Sequence, residues 1–450
     1  MKSKINIVKQ IFSLAMIGIL LATAHSCDEK NEDTKTIEVK IRLVYPAGYE
    51  PRAGVPVKLT GNYAVFEAQT DASGMADFTV AVGVYEAMSF ESYLEDKNYI
   101  LFNGTKSNMV VNESLSQNIF DMPLTMSKTS QLVIKEIYNG GCQKDDGSGA
   151  FQNDKYVILY NNSSWPVSLK NYCLGACMPS NGHATNNFMS GGELSYLKQG
   201  WIPAGFGIWA LESDVMLEAG RQIVIALENA IDNTQTYSNS VNLANAGYYT
   251  AYDIAVWPNT TYYKVADVIP GNHYLKAYKI AGAVGNAWPL SVSSPAFFVF
   301  QTKNSTPAAF ANNADNIVLH GTSSSQANLK TPVDWIVDGI EIFQKGQEAN
   351  SKKRLTDNVD AGSIYLTNNQ GYTLYRNVDK EATEMIPENA GKMVYDYDKG
   401  TAGVVEGGTT DPSGIDAEAS LKLGARIIYK DTNNSTVDFH QRKQASLIQM

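Results

Sequence analysis

Residues 155–173 read "KYVILYNNSSWPVSLKNYC", and this stretch decides the fold class. Tyr156 to Tyr160 is apolar on both alternating faces, which predicts a central strand covered on both sides. Asn161-Asn162-Ser163-Ser164 follows as a polar corner of residues that tolerate tight backbone geometry. Pro166 then confines the next segment to a strand start or an edge, because proline cannot donate to a ladder. Read with "LVIKEIY" (132–138) upstream, the corner turns a central strand into an edge strand. It is a fold feature, and binding is sought in the loops around it.

Outward from this stretch the same two-residue period recurs. "KTIEVKIRLVY" (35–45) sets Ile37, Val39, Ile41 and Leu43 on one face and Glu38, Lys40 and Arg42 on the other. "GVPVKLTG" (54–61) repeats the pattern with Val55, Val57 and Leu59. In "TDASGMADFTVAV" a turn at Asp71 to Gly74 precedes Ala76, Phe78, Val80 and Val82 on one face. With 25 Tyr, 15 Phe and little helical periodicity, the chain is predicted to be all-β.

The N-terminus reads differently. Lys2, Lys4 and Lys9 precede an apolar run from Ile11 to Ala24, too short to cross ~30 Å of hydrocarbon comfortably, so residues 1–26 are expected to be a secretory signal. Ala24-His25-Ser26-Cys27 resembles a bacterial lipoprotein box, although His25 stands where a small residue is usual and Ala24 where leucine is common. The resemblance implies acylation of Cys27 and an outer-membrane lipid anchor. Residues 27–35 hold the acidic run "DEKNED", a solvated tether. Acidic residues directly after the lipidated cysteine resemble the surface-export signal of outer-membrane lipoproteins; that implies display to the cell exterior, a periplasm-facing anchor being the alternative.

The full chain carries a net charge of −10, and three of its cations lie in the leader, so the mature chain carries −13. Nucleic acid is excluded as an expected partner, because phosphate binding needs a basic patch and the longest cluster is Lys352-Lys353-Arg354. Beyond Cys27 the cysteines are Cys142, Cys173 and Cys177. In an oxidising compartment the default is one disulfide and one free thiol, with either Cys173 or Cys177 able to pair with Cys142. The three lack the paired C-x-x-C spacing of a zinc site with His183, and Asp396 and Asp398 lack an EF-hand loop. No cofactor is expected.

No catalytic fingerprint appears: there is no G-x-S-x-G, H-E-x-x-H, phosphate loop or dinucleotide loop. His183, His273, His320 and His440 are widely scattered. Glu136 is expected on the face of Leu132 and Ile134, bonded to a neighbouring loop. The Tyr- and Asn-rich segment 250–282 offers either an aromatic platform for a sugar or ordinary packing, the latter being preferred. Residues 395–420 read as a long acidic loop.

Two further resemblances organise the chain. Residues 36–127, with "GVPVKL", "TDASGMADF" and "GVYE" in order, resemble a transthyretin-like or carboxypeptidase-regulatory-like β-sandwich, which implies a spacer. Residues 130–450, through "IKEIY", "DKYVILYNNS" and "VSLKNY", look like a lamin-tail type of immunoglobulin-like sandwich with insertions in 180–285 and 345–430. With "NAWPLSVSSPAFFVFQ" (286–301), "TPVDWIVDGIEIF" (331–343) and "DTNNSTVDFHQRKQASL" (431–447), they resemble an uncharacterised family of outer-membrane lipoproteins. That resemblance implies a transport-associated surface protein and no mechanism. The tethered geometry and the absent catalytic motifs give the leading expectation, a non-enzymatic surface protein that binds a glycan or small ligand, or serves an outer-membrane transporter. The alternatives are a structural or adhesive surface protein, and a hydrolase with an unrecognised site.

Overall fold

The computed structural model describes residues 36–448 except 62–63, 96–97, 114–117, 130, 324–325 and 396–410. The leader, Cys27 and the acidic tether lie outside the described residues, as do Asp396 and Asp398. The architecture is all-β and of sandwich type, with short helices confined to connections.

The N-terminal alternation is realised strand by strand. Thr36–Val44 pairs antiparallel with Met75–Ala81 and parallel with Ile119–Pro123. Opposite lie five strands in the order Val65–Gln69, Pro56–Thr60, Gly83–Glu95, Asn98–Val111 and Thr125–Thr129. Val39, Ile41, Val57, Leu59, Phe78 and Phe102 are buried between the two sheets, each such side chain contributing about 1.5–3 kcal/mol. Gly74 takes a φ of +78° at the Asp71 turn, where the Asp71 carboxylate accepts the N–H groups of Ser73 and Met75. Val82 leaves the expected apolar face and is 51% exposed, because the strand ends at Ala81 and the chain turns into Gly83.

Among the described residues, no strand of 36–129 pairs with a later strand. The rest of the chain is built on two six-stranded sheets. In the first, Tyr156–Asn161 lies between Gln222–Ala226 and Leu132–Tyr138, with Thr373–Arg376 and Phe439–Arg442 beyond. In the second, Tyr172–Ala176 and Ala296–Gln301 are central, flanked by Gly207–Leu211 and Ile336–Gln344. Ile134, Ile137, Val157 and Leu159 pack against Leu174, Trp209, Phe297 and Ile340 between the sheets.

Both outer faces are also covered. Tyr156, Ile158 and Val224 lie under Val241, Leu243 and Ala445, while Val133, Tyr160 and Tyr375 lie under Val378, Ile415 and Tyr429. On the second sheet Cys173, Ile208, Phe298 and Phe300 lie under Phe188, Tyr196, Phe310 and Leu329. This double cover is why every residue of Tyr156–Asn161 is buried and why the sequence is apolar on both faces. Val167–Ser168, after Pro166, pairs only with Met216–Leu217, the strand start that proline allows.

The corner after Asn161 works through side chains as well as backbone. The Asn161 amide donates to the carbonyls of Trp165 (2.7 Å) and Leu217 (2.8 Å). Asn162 donates to the Tyr429 carbonyl at 2.9 Å and accepts the Tyr429 N–H at 2.8 Å, standing in for a ladder partner. The strand Leu132–Tyr138 carries a bulge at Lys135, which puts Glu136 opposite Ile158. Glu136 is thereby turned away from the Leu132 and Ile134 face, correcting the alternation-based placement.

Candidate functional site

The two ends of the sandwich differ. At the end carrying the Asn161 corner, Tyr172, Gln301 and Ile336 border a cleft of about 910 Å³ that Met126 and Gln131 also line, so this end abuts the N-terminal sandwich. At the other end, the starts of Tyr156–Asn161, Gly207–Leu211 and Ala296–Gln301 and the end of Tyr172–Ala176 surround a pocket of about 370 Å³. Its walls include Lys155, Phe206, Tyr262 and Trp288, with Asn153 and Asn181 among the polar groups.

Each wall residue is held by the fold. Lys155 directly precedes the strand Tyr156–Asn161 and is almost fully buried, its Nζ 2.7 Å from Glu228 Oε1. Glu228 follows Gln222–Ala226, and burial pushes its carboxyl up to about 7 although Lys155 pulls the other way. Its Oε2 lies by the Leu290 backbone without a hydrogen bond of ordinary geometry. The Trp288 N–H of the backbone donates to the Tyr263 hydroxyl at 2.7 Å, and Phe206 packs edge-on against Trp257. Asn153 donates to the Thr261 carbonyl at 2.9 Å. Asn181 accepts the Ser291 hydroxyl.

A buried guanidinium fixes the rim. Arg354 pairs with Glu341, with both groups fully buried. It also donates to the carbonyls of Pro179 (2.8 Å) and Ser294 (2.7 Å). Glu341 Oε2 accepts the N–H groups of Arg354 and Leu355. The two rim segments around Pro179 and Ser294 are thus tied to the strand Ile336–Gln344 through one side chain.

Other buried ions were candidates for chemistry. Arg376 gathers Asp338, Asp431 and Asp438, and burial raises the carboxyls of all three. Asp338 and Asp438 are used for scaffolding, however. Asp338 accepts the N–H groups of Ile134 (2.6 Å) and Gly339 (2.8 Å), and Asp438 accepts Thr432 N–H (2.8 Å) and its hydroxyl (2.7 Å). Asp360, pushed up to about 7 by burial, accepts the N–H groups of Glu341, Gly362 and Ser435. Asp360 and Asp438 hold irregular segments against the sheets, and Asp338 joins the strand Ile336–Gln344 to Leu132–Tyr138 beside its bulge.

Glu136 is likewise structural. It accepts the Tyr156 hydroxyl at 2.7 Å, the Ser446 N–H at 3.0 Å and the Ser446 hydroxyl, which docks the C-terminal segment. The histidines remain apart: His183 meets Ser294, His320 accepts the Asn187 N–H, and His273 meets the Tyr248 carbonyl. His440 accepts from Arg442 Nε, which leaves its other nitrogen to donate to Asn377, and burial, with the Arg442 charge beside it, holds the ring neutral.

Instead of the expected disulfide, Cys142, Cys173 and Cys177 are three free, buried thiols. Cys173 faces the cover of the second sheet and Cys177 stands at the pocket. Cys142 opens a small hairpin with Ala150–Phe151, and its Sγ lies 3.6 Å from Asp154. Burial, reinforced by Asp154, pushes this thiol up to about 12. Among the described residues no cluster of three or more His, Cys, Asp or Glu side chains is placed to hold a metal ion, and no helix is long and apolar enough to cross a membrane.

The pocket itself was not singled out in the sequence. Trp288 and Ser291 lie in "NAWPLSVSSP", whose signal is a run of small hydroxyls and prolines just before a strand apolar from Ala296 to Phe300. In segment 250–282, Trp257 and Tyr263 belong to the core and only Tyr262 reaches the pocket, so packing prevails, although from loops more than from strands.

No curated protein matches the chain. The crystal structure of a DUF4876 family protein from Bacteroides thetaiotaomicron, at 2.50 Å resolution, resembles this structure with a TM-score of 0.50. The match covers 92% of this chain and 96% of that chain at 16% identity, a likeness of fold. Residues 218–402, within the second sandwich and contributing Glu228, Trp288 and Arg354 to the site, match the model of a family described as a protein of unknown function, DUF4876.

Proposed function

We propose that this is a non-enzymatic ligand-binding protein, anchored through an acylated Cys27 in the outer membrane, facing the cell exterior and acting beside an outer-membrane transporter. The observation that carries the reading is the place of the small pocket. It lies at the end of the second sandwich remote from the N-terminal sandwich, and so from the anchored end of the chain. In this reading the transthyretin-like module is a spacer, and the lamin-tail-like sandwich presents its loop end outward. Aromatic walls, a few placed polar groups and a rim fixed by Arg354 are features of small-molecule sites.

Two measurements test it. Cys27→Ser is expected to release the protein from the membrane fraction, and unchanged retention would remove the anchor from the reading. Affinity capture of the intact membrane complex is expected to bring down a transporter. Capture of adhesin or pilus components instead would favour the adhesive alternative.

A further inference from the structure

The composition of the 370 Å³ pocket narrows what it can take. Its volume is near the lower end of small-molecule sites, which run from about 300 to 1,000 Å³. The lining carries one formal charge, Lys155, and Glu228 directly behind it cancels that charge at 2.7 Å. An anion entering the pocket would gain from Lys155 but face Glu228 in a poorly screened site, and a cation would meet the reverse. With Glu228 ionised, above about pH 7, neither sign is favoured. What the walls do offer is aromatic carbon from Phe206, Tyr262 and Trp288, and amide groups from Asn153 and Asn181, the Ser291 hydroxyl being taken up by Asn181, Ser293 and Ser294. Lys155 Nζ has three donor positions, of which Glu228 takes one. An ammonium kept at the wall by a buried carboxylate is a fixed donor for a neutral oxygen.

We infer that this pocket binds a neutral, hydroxyl-rich ring of the sugar or cyclitol class, with C–H faces against the aromatic walls and hydroxyls toward Lys155 and the amides. This rests on the ligand-binding reading above and gives it a substrate class. A purely apolar ligand would leave the amides and Lys155 without water, which costs more than its burial returns in so small a site.

The test uses the full chain without its leader and anchor cysteine. Saturation-transfer NMR and calorimetry are run against neutral hexoses, pentoses, N-acetylhexosamines, inositol and their short oligomers. Glucuronic acid, glucosamine and a small apolar probe are run beside them. At least one neutral sugar or cyclitol is expected to bind, ahead of its charged counterparts. Tyr262→Ala, at a half-exposed position, is expected to weaken that binding about tenfold. Asn153→Ala serves as a second variant, each being checked by its thermal transition. If only charged or apolar probes bind, and the same variants weaken them, the sugar assignment falls while the pocket remains a binding site. If no probe binds, the sugar assignment falls. If in addition a transporter co-purifies undiminished from cells carrying the Tyr262→Ala and Asn153→Ala variants, the pocket-centred reading falls with it.

Discussion

Removing Arg354 should expose how the pocket rim is held. In Arg354→Met the stem is replaced at similar length, but Glu341 is left buried without its cation. Breaking a buried pair from one side costs about 3–5 kcal/mol. Glu341 keeps two backbone donors, from Arg354 and Leu355, which places it toward the lower end of that range. The Ser294 carbonyl keeps the Gly182 N–H at 3.2 Å, whereas the Pro179 carbonyl loses its donor, a further cost of about 1–3 kcal/mol. The total, about 4–6 kcal/mol, approaches the whole stability of a marginally stable domain. Adding Glu341→Gln removes the orphaned charge and keeps an oxygen for the two backbone N–H groups. The double variant should therefore recover about 2–3 kcal/mol. Urea unfolding followed by tryptophan fluorescence, with thermal melts, measures both. A loss below about 1 kcal/mol in the single variant, or no recovery in the double, would refute the claim that this ion pair carries the rim.

Three further outcomes are expected. Folding raises the carboxyls of Glu228 and Asp360 to about 7, and those of Asp154, Asp338, Asp411, Asp431 and Asp438 in the same direction. The native state then binds more protons than the unfolded chain between about pH 4 and 7, so this stability is present at low pH and is lost as pH rises through 7. The melting temperature should fall from pH 5 to pH 8, and a steady rise over that interval would overturn the assignment. Asn162→Ala removes both bonds to the Tyr429 backbone and should cost about 1–3 kcal/mol in chemical unfolding, without changing the binding proposed for the pocket at the far end. Thiol titration of the leaderless, Cys27-free chain should find three reactive groups on unfolding without reductant, and slow reaction when folded. A single titratable thiol would restore the disulfide.

Much of the fold was legible because burial leaves a periodic trace. Ile37, Val39, Ile41 and Leu43 alternate because one face of their sheet meets a core. Tyr156 to Tyr160 do not alternate because both faces are covered. Glu136 was misplaced because one bulged residue shifts every later side chain to the other face, and a bulge at Lys135 has no compositional mark. The thiols were misjudged because cysteine spacing says nothing of which strand face each sulfur takes. The pocket was hidden for a similar reason. Lys155, Phe206, Tyr262 and Trp288 come from four connections that converge only when the sheets stack.

The buried ions and the pocket have a common physical origin. A sheet covered on both faces must accept irregular segments on its outer side, and those segments cannot offer a ladder to satisfy buried backbone groups. Side chains substitute for it. Asn162 serves Tyr429, Asp338 serves Ile134 and Gly339, Asp360 serves Glu341 and Ser435, and Arg354 serves Pro179 and Ser294. Such links break abruptly, because losing one partner strands a desolvated group, so the loops they hold have few alternative positions. Loops held in this way can present aromatic and amide groups at fixed separations, and ordering them again on binding costs little. The same logic gives the Lys155–Glu228 pair its place: with Glu228 ionised, charge neutrality at the pocket wall comes from the scaffold, and a ligand of the class proposed above need not bring a counter-charge.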